Sequence, residues 1–225
     1  MAIISLVSQK GGVGKSAIAR LLAVEFVRAG WSVKIADIDT MQGTSTKWKL
    51  RRDAAQLQPE IPVEKFATVD RALREAGKFD LLIIDGPAHA EKGGLAMAKR
   101  SSIVLMPTCY GLDDLEAQIE AAYELEEHGI DPQRIWFIFS RTTGSANEEQ
   151  TARDYLRRAK INVLDPVISE LPSIRQAHNG GKAASEVSFP LIRERAMALA
   201  VAVAEKLQGD NPASSTAAGE KGKAA

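Results

Sequence analysis

Two lysines and three glycines crowd into seven residues near the start of the chain, Lys10-Gly11-Gly12-Val13-Gly14-Lys15-Ser16. They follow the short apolar run Ile3 to Val7, which reads as a buried strand, and precede apolar residues at helical spacing. Glycines between a strand and a helix let the backbone curl until successive N–H groups point inward, and the helix N-terminus adds its positive end. This is a cradle for phosphate. Lys15 would face the β- and γ-phosphates and Ser16 would offer its hydroxyl to Mg²⁺, so the expected ligand is a nucleoside triphosphate. The ordinary form of such a loop has a glycine five positions before Gly14, where this chain has Gln9. Lys10 has no special tolerance for unusual backbone angles, so a turn does not explain it.

Other carboxylates arrive at the same sheet edge. Ile18, Leu21, Leu22 and Phe26 define one face of a helix ending near Gly30, and Val33 to Ala36 is a second strand leading into Asp37-Ile38-Asp39-Thr40-Met41-Gln42. Strand, crossover helix and parallel strand form a βαβ unit, whose ligands sit beyond the carboxyl ends of its strands. Phe79 to Asp85 is an apolar strand tipped by a carboxylate and followed by Gly86-Pro87. A carboxylate at a strand tip suits the orientation of a hydrolytic water.

Further along, a strand at Ser102 to Met106 turns at Pro107-Thr108, and a helix covers about Asp113 to Glu127. Ile135 to Phe139 is a strand ending in Ser140-Arg141, and Ser145-Ala146-Asn147-Glu148 opens a helix to about Ala159 with a capping box. Val163 to Ile168, interrupted by Pro166, reads as an edge strand, and a helix from about Pro190 to Leu207 closes the fold. Thr44 to Arg74 reads as a basic helix carrying Lys47, Trp48, Lys49, Arg51 and Arg52, then an irregular piece, then a short helix from Val69 to Ala76. Trp48 reads as packing and the basic run as a solvated face. Residues 208 to 225 lack an apolar face and read as a disordered tail.

The 225 residues suffice for one α/β domain with a full core. Twenty-nine basic and 29 acidic side chains balance, so any nucleic-acid surface must be local. One cysteine, Cys109, excludes an internal disulfide and a cysteine-ligated metal or cluster within one chain. His89, His128 and His178 show no ligand spacing, and Trp31 and Trp136 read as packing. No apolar run approaches the length that spans a bilayer, and the N-terminus has no leader-like stretch, so the expected location is cytoplasmic.

The lysine ahead of the glycine pair resembles the deviant phosphate loop of the ParA/MinD family, whose signature lysine reaches the nucleotide of a partner subunit. The similarity covers about residues 2 to 207 and is densest at Lys10 to Ser16, Asp37 to Gln42, Phe79 to Pro87 and Val104 to Asp114. It implies a doubly wound, mostly parallel sheet with helices on both faces, formed by residues 1–207. It implies ATP and ADP contacts from Lys10, Gly11, Gly12, Val13, Gly14, Lys15, Ser16 and Ala17, with Ser140 and Arg141 at the adenine base. Lys10, Lys15, Asp39 and Asp37 would be catalytic, Asp39 orienting the attacking water and Asp37 acting as its switch partner. Ser16, Asp39 and Asp85 would serve Mg²⁺. Two departures stand out: Ala17 replaces a hydroxyl residue that contacts the α-phosphate, and the loop after Asp39 lacks a proline and is one residue longer.

The resemblance further implies a Mg-dependent ATPase that forms a homodimer on ATP binding and binds nucleoid DNA non-specifically. A centromere-binding or adaptor protein would stimulate hydrolysis, so that plasmid, chromosome or other cargo is positioned. Candidate DNA contacts are Arg157, Arg158, Lys160, Arg175, Lys182 and Arg193, with Arg153 and Arg195 among the same basic residues. The tail lacks the apolar amphipathic helix of the membrane-bound relatives. A positioning ATPase that does not use DNA, a small-substrate ligase or kinase, and an adaptor that binds nucleotide without hydrolysing it are the rival readings.

Overall fold

The computed structural model describes residues 1–87 and 91–209. The strands are β1 (Ala2–Leu6), β2 (Val33–Asp37), β3 (Val63–Lys65), β4 (Leu81–Asp85), β5 (Ile103–Thr108), β6 (Ile135–Thr142) and β7 (Ile168–Ser169). They make one sheet in the order β3-β2-β4-β1-β5-β6-β7, with every described pairing parallel. The helices are α1 (Lys15–Arg28), α2 (Thr44–Ala54), α3 (Val69–Leu73), α4 (Glu91–Arg100), α5 (Leu112–Glu127), α6 (Ala146–Arg158), α7 (Pro172–Asn179) and α8 (Pro190–Gly209). The sheet is therefore doubly wound, as the βαβ reading implied.

Because side chains alternate along a strand, the sheet feeds two cores. Ile4, Leu6, Ile35, Ile83, Leu105 and Ile138 pack under α1, α2, α7 and α8. Val104, Met106, Phe137 and Phe139 pack under α5 and α6, and Ile3, Leu82 and Ile84 under α3 and α4. Each fully buried large side chain is worth about 1.5–3 kcal/mol relative to exposure, so both layers hold the sheet firmly. Strand β1 sits in the middle, between β4 and β5. The loop leaving its carboxyl end lies where the winding reverses, the usual ligand position in such sheets.

Several boundaries differ from the sequence reading. Strand β5 continues through Pro107 and Thr108 instead of turning there, with Pro107 opposite Ile138. The expected strand Val163 to Ile168 shrinks to a bridge at Val163 and the two-residue β7, because Pro166 has no N–H to give a ladder. Strand β3 and helices α4 and α7 were not read from the sequence; β3 spans three residues and α7 eight. The short helix after Val69 ends at Leu73 and a 3₁₀ turn follows at Ala76–Lys78. Ser145 Oγ caps α6 by accepting from the Glu148 N–H, but the other half of the expected capping box is not formed: the Ser145 N–H donates to Thr143 Oγ1, and the Glu148 carboxylate accepts from that same hydroxyl. Gln208 and Gly209 complete α8; the rest of the expected tail lies outside the described residues.

Candidate nucleotide site

The glycine-rich loop wraps the carboxyl end of β1. Gly12 and Gly14 have φ of +77° and +101°, which only glycine adopts without strain. Lys15 begins α1 and is 8% exposed. Its Nζ donates to Ser8 Oγ at 2.7 Å, and Ser8 Oγ donates to Lys10 O at 2.8 Å, so the ammonium braces the loop from inside. Burial lowers the Lys15 pKa, opposed by the charges of Asp85 and Asp39. Gln118, on α5 and buried, braces the loop from below: its Oε1 accepts from Gln9 N and its Nε2 donates to Val7 O.

Lys10 behaves differently from Lys15. Its side chain is 41% exposed and pairs with Asp114 at 2.7 Å, at the start of α5. It does not line the cavity that opens over the loop.

That cavity is about 290 Å³ and runs from the phosphate loop to the base of α7. Gly11, Gly12, Gly14, Lys15, Ser16 and Ala17 line one end. Ser140, Arg141, Ile168, Ile174, Arg175 and His178 line the other, and Asp39, Gln42 and Thr44 stand at the side. Val13 is buried beneath the loop. Arg141 leans over it, donating to Gly12 O and pairing with Glu170 at 2.5 Å. Ser140 closes against Gly14, where an added Cβ would collide with the Ser140 hydroxyl. Cys109 is half-buried with its Sγ 3.4 Å from Ser140 O, a packing position.

Asp37 and Asp85 are register partners on β2 and β4 and are fully buried. Asp85 Oδ2 accepts from Ser45 Oγ at 2.7 Å, and Asp37 Oδ2 accepts from both the N–H and the hydroxyl of Thr46 at 2.9 Å. Both carboxylates therefore hold the first turn of α2, whose orphan N–H groups favour a negative charge. Burial pushes the Asp85 pKa up to about 6, opposed by the Ser45 and Ser16 hydroxyls and reinforced by Asp37. Oδ1 of each carboxylate is buried without a partner. Asp39 lies nearer the surface, its Oδ1 accepting from Gln42 N at 2.9 Å.

Oxygen donors of this kind fit a hard cation such as Mg²⁺, which takes one or two carboxylates and completes its shell with water and substrate phosphates. Ser16 and Asp39 line the cavity, and Asp85 ends the neighbouring strand β4 with one carboxylate oxygen buried and unpartnered. Among the described residues no three His, Cys, Asp or Glu side chains cluster as a self-sufficient metal cage, so the phosphates would supply ligands.

Residues the sequence reading did not single out are Ser8, Arg20, Thr44, Ser45, Thr46, Gln118 and Glu170. Their types are unremarkable and only the fold brings them to the loop. The basic run of α2 also differs from a solvated face. Arg52 is fully buried, donates to Gly181 O and bonds Glu186 at 2.7 Å, with Trp48 packed between it and Arg20. Trp48 is packing, as its type suggested. Trp31 packs edge-on against Phe26, and Lys206 covers Trp136. His89 lies outside the described residues.

The candidate DNA contacts do not converge. Arg157, Arg158 and Lys160 are exposed at the end of α6, on one face of the sheet; Arg175, Lys182 and Arg193 are exposed around α7 and α8, on the other. Arg157 pairs with Asp154, and Arg153 is held by Glu149 over Phe139.

A parallel doubly wound sheet with a glycine cradle, buried lysine and paired carboxylates at its central strand tips defines an α/β nucleotide-binding protein. Residues 4–184 match the family model of the CobQ/CobB/MinD/ParA nucleotide binding domain. The chain belongs to that family. It is 30% identical over 151 residues to the maintenance of carboxysome distribution protein A of Gloeobacter kilaueensis, covering 66% of this chain and 68% of that protein. Its fold is that of the septum site-determining protein MinD of Pyrococcus horikoshii OT3 complexed with Mg-ADP, with TM-score 0.72 and 22% identity over 92% of this chain and 97% of that one. A putative plasmid partition protein of Borrelia burgdorferi B31 bound to AMPPNP superposes with TM-score 0.70 at 18% identity, over 91% and 99%.

Proposed function

We propose that residues 1–207 form an ATPase domain of the ParA/MinD kind that works as a positioning switch. ATP binds along Lys10 to Ala17 with its adenine toward Ser140 and Arg141. Ser16, Asp39 and Asp85 would hold Mg²⁺, which would neutralise charge on the phosphates. Lys15 neutralises the β- and γ-phosphates, Asp39 orients the attacking water, and Asp37 couples the site to α2. Phosphoryl transfer asks a protein mainly for such positioning and charge neutralisation.

The observation that carries this reading is the contrast between the two lysines. Lys15 is buried and lines the cavity, whereas Lys10 does not line it, is 41% exposed and, among the described residues, pairs with Asp114 alone. Exposed ion pairs are weak, so a triphosphate presented by a second copy outcompetes Asp114 for that ammonium. ATP then joins two subunits, and cleavage of the γ-phosphate loosens them.

The related proteins are named for positioning carboxysomes, septum sites and plasmids, so the chemistry is shared and the cargo is not. For this chain we infer non-specific DNA as the surface in the cytoplasm, and a partner protein that stimulates hydrolysis. No described helix is long and apolar enough to cross a membrane. The outward face of α8 favours a second reading, an ATPase that docks on another surface: Leu191, Met197 and Val201 on the helix, and Phe189 just before it, are exposed near Arg193 and Arg195. Phosphate release is the test, measured with Mg·ATP in the wild type and in Asp39→Ala, with mixed-sequence duplex or anionic vesicles added. Turnover lost in Asp39→Ala, together with ATP-dependent DNA binding that weakens steeply with salt, supports the reading. Binding without any turnover would leave only a nucleotide-gated adaptor, and co-sedimentation with vesicles but not DNA would favour the second surface.

A further inference from the structure

Arg20 is a buried cation whose role the phosphate loop does not account for. It lies on α1, is 4% exposed, and lines the nucleotide cavity. Its Nη2 donates to Thr44 O at 2.7 Å, but its Nε is buried with no partner. It forms no ion pair with any carboxylate among the described residues; Asp85 and Asp37 act on it only through space. A guanidinium has five donors and is expensive to bury unpaired, so this arrangement is favourable when an anion shares the cavity.

Helix geometry says where that anion lies. Side chains on a helix lean toward its N-terminus, so Arg20 covers the turn that holds Ser16 and Ala17, four and three residues earlier. Ala17 lines the same cavity with a methyl group and can donate nothing from its side chain. Across the cavity, His178 Nε2 is also buried without a partner, and burial and the nearby Arg20 charge hold the ring neutral. Among the described residues Arg20 therefore has no ion-pair partner of its own, in a cavity that also holds Lys15, Arg141 and Arg175 against the carboxylates of Asp39 and Glu170.

We propose that Arg20 is a nucleotide-binding residue whose guanidinium contacts the α-phosphate, in place of the hydroxyl that Ala17 lacks. The proposal rests on nucleotide occupying the phosphate loop. It makes the contact common to ATP and ADP, so Arg20 sets the affinity for both without discriminating between them.

The test compares wild type, Arg20→Met, Arg20→Gln and the double variant Ala17→Thr/Arg20→Met. Mg·ATP and Mg·ADP affinities are measured by displacement of a fluorescent nucleotide, and melting temperatures are taken without nucleotide. Arg20→Gln keeps a polar N–H donor on a shorter side chain and removes the charge, whereas Arg20→Met removes both donor and charge. Both single variants should bind ATP and ADP roughly ten- to a hundredfold more weakly, the size of a lost charged hydrogen bond, with their ratio unchanged. Ala17→Thr should restore most of the loss in Arg20→Met. Wild-type affinity in either single variant, a loss confined to ATP, or no rescue by threonine would overturn the proposal. So would failure of both single variants to fold, which would make Arg20 a tie between α1 and α2. Failure of the wild type itself to bind either nucleotide would instead refute the function proposed above.

Discussion

Replacing Gly14 by alanine tests whether the cradle is shaped as described. Two costs add. Gly14 has φ +101° and ψ 10°, a left-handed conformation that costs an L-residue about 1–2 kcal/mol. The new methyl also meets the hydroxyl of Ser140, itself 1% exposed and unable to swing into solvent; overpacking of this kind costs about 1–3 kcal/mol. The sum is about 2–5 kcal/mol, a large part of an ordinary domain's stability. At about 2–4 °C per kcal/mol for a chain of this size, the melting temperature should fall by about 4–20 °C. The two costs separate in a double-mutant cycle. Ser140→Ala in the Gly14→Ala background removes the collision and should recover the steric part, leaving about 1–2 kcal/mol of backbone strain. Thermal or urea unfolding of the four proteins reads this directly, and nucleotide titration should show loss of affinity in Gly14→Ala. Gly14→Ala as stable as wild type, or strictly additive effects, would refute the geometry assigned to the loop.

Further expectations concern the wall opposite the loop. Burial and Arg20 depress the His178 pKa from 6.5 to about 4, so the folded state resists protonation that the unfolded chain accepts. Its contribution to stability is whole above about pH 6.5 and is lost as pH falls toward 4; between pH 7 and 5 the loss amounts to about 2 kcal/mol. Urea midpoints of wild type should therefore drop more over that range than those of His178→Leu, and parallel profiles would contradict the burial assigned to the ring. Gly181 has φ +78°, and an added Cβ would lie 2.5 Å from Arg52 N and 2.6 Å from Arg52 Cα. Because those are backbone atoms of α2, Gly181→Ala should cost more than about 3 kcal/mol in chemical denaturation. Chelation of Mg²⁺ should weaken ATP binding measurably, because the β- and γ-phosphates lose the cation that a hard oxygen-donor site of this kind holds against them.

Much of this site is written in short range. Lys10 to Ser16 are contiguous, and their glycines, apolar flanks and helix periodicity specify strand, loop and helix without any distant contact. Asp37 and Asp85 were legible for a different reason: each ends an apolar run, and parallel strands in one sheet present their tips together. What could not be read is what the fold joins across long separations. Gln118 meets Val7 and Gln9 from more than a hundred residues away, and Arg52 finds Gly181 and Glu186. A basic helix with one buried arginine has the same composition as a solvated one. Strand β3, three residues long, is too short to show a period, and β5 runs through a proline because its neighbours supply enough of the ladder. Basic residues scattered over α6, α7 and α8 looked like one set in the sequence but occupy two faces of the sheet.

The most direct measurement is the solution mass of the full chain, by light scattering, with ADP and with a non-hydrolysable ATP analogue. Wild type should be a monomer with ADP and a dimer with the analogue, whereas Lys10→Ala should bind the analogue with near-normal affinity and stay a monomer. A wild-type monomer in both nucleotides that nevertheless hydrolyses ATP at full rate, or a Lys10→Ala protein that dimerises normally, would contradict the account.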